Sequence, residues 1–136
     1  MARRAKEHTG VLFVVDTLEF LHRGGRIGGA TRLVGTALNL KPLLEVLHGR
    51  VEPIERVRTK TKACARLLEV IGERVNGRTP LRIAAIHASA EEEARALLQD
   101  AAERFHPVET TLSVASPVVG THAGPGTVGL AYCAGL

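Results

Sequence analysis

Two long segments of this chain place their apolar residues on a single stripe of helical period, and each is followed by a short β-branched run. Cys64, Leu67, Leu68, Ile71 and Val75 lie at i, i+3, i+4, i+7 and i+11, and Asn76-Gly77 closes the stretch. Ser89-Ala-Glu-Glu92 reads as a capping box, and Ala94, Leu97, Leu98, Ala101 and Phe105 carry its stripe onward. A helix that is apolar on one stripe only must bury it against one partner layer. Folds in which helices are buried all round are thereby excluded.

The partner layer is legible as strands. Val11–Val15 and Leu81–Ile86 are short apolar runs of the kind found in buried strands, and Val108–Ala115 is rich in Val and Thr. Leu43–Leu47 and Arg50–Arg58 flank His48-Gly49 as a hairpin. Pro53 cannot donate to a ladder, so the second hairpin strand belongs at an edge or carries a bulge. Leu130–Ala134 is a last short strand. Thr17 can cap a short helix through Leu21 that ends at Gly24-Gly25, and a further helix spans about Ala30–Leu40, stopped by Pro42. Six strands and about four helices predict an α/β two-layer sandwich on a mixed six-stranded sheet. At 136 residues there is room for one such domain, spanning 1–136.

Charge narrows the partners. Residues 1–66 hold 13 Lys/Arg against 6 Asp/Glu, an excess of +7, whereas the remainder hold 5 against 8. A basic half attracts nucleic acid, an anionic membrane surface or an anionic small molecule. Aromatic residues make up 3% of the chain, too few for the stacking platforms of single-strand binders, and no zinc-finger spacing or basic recognition helix is present. No nucleic-acid partner is therefore expected. Nor is stable membrane insertion, since no apolar run approaches the ~20 residues that a span requires. The basic start at Met1–Lys6 lacks the apolar core of a signal peptide, so a cytoplasmic location is expected. Cys64 and Cys133 stand far apart and read as small buried hydrophobes rather than a disulfide or metal pair.

Three segments can carry chemistry. In Leu21–Gly29, two glycine pairs bracket Arg26, which either grips a carboxylate or phosphate with its planar fork or sits exposed in a helix connection. Val119–Gly126 has five Gly, Pro or Ala residues in eight, so its backbone can approach a ligand closely, and it carries the adjacent Thr121 and His122. The hydroxyl and the imidazole together can hold one carboxylate; a rigid loop with a satisfied histidine is the alternative. Glu55–Lys60 puts Arg56 and Arg58 on the same strand face, either as ligand cations or as a solvated edge. The six histidines are scattered, and His-x-x-x-His, Gly-x-Ser-x-Gly and Cys-x-x-Cys are absent. No catalytic residue, metal site or cofactor is expected.

In order and spacing, four stretches together resemble the DegV family: Asp16–Ile27, Leu38–Pro42, Arg56–Lys60 and Gly120–Gly126. The resemblance runs from about Phe13 to Ala134. It implies that the chain is the second, carboxy-terminal lipid-binding domain of a two-domain protein whose amino-terminal domain is absent. It also implies a bound long-chain fatty acid and a partner fatty acid kinase, to which the acyl carboxylate is presented for phospholipid synthesis. On this reading His122 and Thr121 contact the carboxylate, and Arg26 and Arg58 supply positive charge near the head group or the kinase-docking surface. The family's Gly-Thr-His-Thr-Gly-Pro-Gly here has Ala123 in place of the second threonine, removing one hydroxyl. A function of another class also fits: an interaction module in which the open cleft face packs on a second copy, forming a homodimer.

Overall fold

The computed structural model describes residues 8–17, 41–47, 50–114 and 124–135. Six strands and two helices are found among them, in the order β1 (Thr9–Val14), β2 (Leu43–Leu47), β3 (Arg50–Glu55), α1 (Lys60–Val75), β4 (Leu81–His87), α2 (Glu91–Phe105), β5 (Glu109–Val114) and β6 (Val128–Ala134). All six strands form one sheet in the order β3-β2-β1-β6-β4-β5. Only β4 and β5 run parallel; the other neighbours are antiparallel, so the sheet is mixed as expected. The helices expected at Thr17–Leu21 and Ala30–Leu40 lie outside the described residues, apart from Thr17 itself.

Both helices lie against one face of the sheet. Alternation puts Leu12 and Val14, Ile83 and Ala85, and Val128 and Leu130 on that face. All are buried in one cluster with Leu67, Leu68 and Ile71 of α1 and Ala94, Leu97 and Ala101 of α2. The two apolar stripes read from the sequence are thus the helix layer of the core. Leu98 and Phe105 sit at its margin, partly buried. Cys64 and Cys133 are half-buried rather than fully inside: Cys64 packs at the margin of the core, whereas alternation along β6 turns Cys133 to the opposite, helix-free face of the sheet.

The helix ends obey local chemistry in one case and tertiary constraint in the other. At α1, Thr59 is extended (φ −124°) and its Oγ1 accepts the Lys62 amide at 3.2 Å, while Asn76 closes the helix in the left-handed region at φ 49°. At α2 the expected Ser89 capping box does not form. Ser89 itself is left-handed (φ 55°), and the cap position falls on Ala90, which has no side-chain acceptor. The Ala88 amide donates to the Thr127 carbonyl at 2.9 Å and the Gly126 amide to the Ala88 carbonyl at 2.7 Å. That pairing holds the β4–α2 turn in a path the capping box cannot follow. Glu91, Glu92 and Glu93 in the first turn still complement the helix dipole.

Pro53 meets both of its expected conditions. β3 is an edge strand, and its register with β2 shifts between Leu43 and Leu44. β3 ends at Glu55, however, so Arg56 and Arg58 are not strand residues. They flank a buried Val57, whose side chain is anchored in the core and turns both arginines to solvent. Among the described residues no helix is long and apolar enough to cross a membrane.

Candidate functional site

The ends of β1, β3, β4 and β5 and the beginnings of β2 and β6 meet at one pole of the sheet, as their registers require. Asp16 follows β1 there, Lys41 precedes β2, residues 56–59 lead into α1, His87 and Ala88 close β4, and Gly124–Thr127 lead into β6. Thr17 and Lys41, which flank segment 18–40, and Val114 and Gly124, which flank segment 115–123, stand at this pole. The two segments carry three of the four expected ligand residues, Arg26, Thr121 and His122, which lie outside the described residues. Arg58, the fourth, is described and exposed, two positions before α1 begins.

A polar cluster ties this pole together. Lys60, the first residue of α1, has a side chain only 19% exposed, and its Nζ lies 2.6 Å from Glu93 Oε2 and 3.4 Å from Asp16 Oδ1. It also donates to the Gly126 carbonyl at 2.5 Å. Lys41 Nζ donates to the Asp16 backbone carbonyl at 3.0 Å. Gly126 adopts φ +90°, and a Cβ built on it would stand 1.8 Å from Asp16 Oδ2. Its positive φ favours glycine here, and any side chain would have to displace the Asp16 carboxylate. Thr127 Oγ1 donates to the Gly124 carbonyl at 2.8 Å, closing the turn on itself.

His87 lies beneath the same pole, 4% exposed, between Val114 and Val128 in the sheet register. Its Nδ1 accepts the Ala90 amide at 3.1 Å, so the neutral ring carries its proton on Nε2. Nε2 is buried and has no partner among the described residues.

Of this cluster, sequence reasoning identified the segments but not the groups. In the sequence Asp16 stands out only as the first residue of the Asp16–Ile27 stretch, Lys60 as the last of Glu55–Lys60, and Gly126 as one glycine of several. Nothing in the sequence signals Glu93, since glutamate in a first helical turn is ordinary. Among the described residues no group of three His, Cys, Asp or Glu could hold a metal ion.

Among the described residues an apolar concavity lies elsewhere. A groove of about 770 Å³ on the helix-free face is lined by Val11, Val46, Ala84, Ala131 and Cys133, with Arg82 and Glu109 paired at 3.3 Å beside it. Its residues lie toward the far pole of the sheet, from the Val11–Ala131 rung to the Thr9–Cys133 rung, roughly 10–17 Å from the Val14–Val128 pair at ~3.4 Å per residue.

Comparison with known proteins agrees with the fold. The family model described as "Uncharacterised protein, DegV family" matches residues 1–135. A DegV domain-containing protein of Streptomyces coelicolor is 43% identical over 130 residues, which is 95% of this chain and 46% of that protein. A Thermus thermophilus DegV family protein, whose solved structure is described as fatty acid binding, superposes with a TM-score of 0.91 at 38% identity, covering 97% of this chain and 48% of that one. DegV of Bacillus subtilis, solved as a fatty acid binding protein, gives 0.82 at 35% identity, covering 97% and 47%. The chain spans about half the length of the relatives it matches. With a family match over nearly every residue and the same mixed sheet in the solved relatives, this chain belongs to the DegV family.

Proposed function

We propose that this chain binds a long-chain fatty acid as the carboxy-terminal half of a DegV-type carrier, residues 1–136 forming the lipid-binding domain. The observation that carries this reading is the close superposition on fatty-acid-binding DegV proteins of Thermus thermophilus and Bacillus subtilis over nearly the whole chain. The polar pole supports it: a rigid glycine turn, clamped by Lys60 and Asp16, stands two positions after His122 in the chain. In this reading Thr121 and His122 hold the carboxylate, while Arg26 and the exposed Arg58 supply positive charge around it. The bound acid is presented to a fatty acid kinase subunit in the cytoplasm for phospholipid synthesis. The chain's own share is binding and orientation, without catalysis.

The energetics divide the labour between the two ends of the ligand. Burying about 14 methylenes at ~0.8 kcal/mol each contributes on the order of 11 kcal/mol before association costs. A charge-assisted hydrogen bond adds only ~1.5–3 kcal/mol. The apolar wall sets affinity, and His122 sets which end of the acid faces outward.

Native mass spectrometry of the delipidated chain with palmitate tests the reading. One bound acid per chain is expected, and in His122→Ala the lipid is retained but is a poor substrate for the kinase. A chain that takes up no acyl ligand, or a variant that loses retention and kinase transfer equally, refutes it. The exposure of Val46 (45%) and Leu47 at the far-pole groove favours a second reading, an interaction module in which this face packs on a second copy. Light scattering over a range of concentrations separates the two, because a strict monomer is incompatible with the second.

A further inference from the structure

We infer that Lys60 is the positioning residue of the carboxylate end of the site, holding the Arg58 loop and the Gly124–Thr127 turn in one fixed arrangement. This inference rests on the fatty-acid-binding reading and assigns it a residue that does not itself touch the ligand. An ammonium has three N–H donors. Those of Lys60 face three acceptors on three other elements: the Gly126 carbonyl at 2.5 Å, Glu93 Oε2 at 2.6 Å and Asp16 Oδ1 at 3.4 Å. With each donor matched to a protein acceptor, none remains for a ligand. What the side chain fixes is the relative position of its neighbours.

Those neighbours are the ones that matter for an anion. Arg58 precedes Lys60 by two residues, separated only by the capping Thr59, so the seat of Lys60 sets where that exposed guanidinium begins. On the other side, the Gly126 carbonyl is the backbone atom through which Lys60 grips the turn into β6. Lys41 holds the backbone carbonyl of Asp16, and the Asp16 carboxylate packs directly against Gly126. The clamp thus joins the end of β1, the starts of α1 and α2, and the approach to β6. A lysine that merely stabilised the helix ends would need neither the Gly126 carbonyl nor the bulk of Asp16 against it. Placement within a few tenths of an ångström decides whether a carboxylate meets its donors together, and an acyl tail is far less demanding.

Affinity of the full chain for palmitate and for hexadecanol, with Lys60→Ala and Lys60→Arg beside the parent, tests the assignment. The two ligands share a tail and differ in the head group. The parent is expected to prefer the acid. Lys60→Ala should lose roughly tenfold or more of its palmitate affinity, the equivalent of about one charge-assisted hydrogen bond, with hexadecanol binding unchanged. Lys60→Arg, which keeps charge and donors, should recover most of the acid preference. Equal loss of both ligands, or a folded Lys60→Ala with the parent's preference, overturns the assignment. Where Lys60→Ala does not fold, Glu93→Gln loosens the same clamp at one partner and must lower the acid preference in the same direction; an unchanged preference overturns the assignment equally. A parent that binds neither ligand instead removes the carrier reading itself.

Discussion

Replacing Gly126 with alanine puts a methyl group where the Asp16 carboxylate already sits. The built Cβ lies 1.8 Å from Asp16 Oδ2 and 2.6 Å from its carboxyl carbon, so the acid must rotate away. Two costs follow. An L residue at φ +90° carries roughly 1–2 kcal/mol of backbone strain. The displaced Asp16 also gives up its 3.4 Å contact with Lys60, worth no more than ~1 kcal/mol because the carboxylate is 43% exposed. The sum is about 1–3 kcal/mol, or roughly 4–10 °C in Tm for a chain of this size. Urea and thermal denaturation followed by circular dichroism measure it. Asp16→Ala in the same chain removes the obstruction but not the strain, so the double variant should fall short of additivity by about 1 kcal/mol. A Gly126→Ala protein within about 0.5 kcal/mol of the parent, or strictly additive losses, refutes the picture of a turn seated on Asp16.

Two further outcomes are expected. Glu45 is 9% exposed and meets Arg74 at 2.8 Å, so Arg74→Ala should cost roughly 1–2 kcal/mol in urea denaturation, reduced from a fully buried pair because Arg74 is 41% exposed. Glu45→Gln added to it should recover part of that loss, and no recovery refutes the pairing. Burial raises the Cys64 thiol above its ordinary 9.0, against the opposing pull of Lys60. The folded thiol then ionises later than the unfolded one, so its contribution is complete below pH 9 and is lost as pH rises through the folded value, with a slope of at most ~1.4 kcal/mol per pH unit. Cys64→Ala should lack that alkaline decline, and superimposable pH profiles would sink the assignment.

The layers of this fold were legible because they follow from periodicity. Leu67, Leu68 and Ile71, or Ala94, Leu97 and Ala101, can satisfy their spacing only by facing a sheet, and that is where they lie. Pro53 was equally readable, since a residue without an amide has few places in a ladder. Readings failed where a distant contact overrode a local preference. Ser89 has the right neighbours for a cap, yet the bonds between Ala88 and the turn before β6 hold it left-handed. Arg56 and Arg58 alternate as strand residues do, yet β3 stops at Glu55 because Val57 is drawn into the core. The site was legible only as motifs. Arg58 and the glycine turn stand at one pole of the sheet, but the links through Lys60 to Asp16 and Glu93 are long-range meetings that spacing along the chain cannot reveal.

The pairing of β1 with β6 at the middle of the sheet carries a kinetic consequence. Thr9 lies opposite Cys133, so the central rungs join residues from nearly opposite ends of the described chain. Loop-closure entropy must be overcome before that seam rewards it, whereas the β2–β3 hairpin can close early. Refolding should therefore wait on the seam. A circularly permuted variant joined across the Thr9–Cys133 rung and opened between Leu47 and Arg50 should exchange the order of these events while keeping the same sheet.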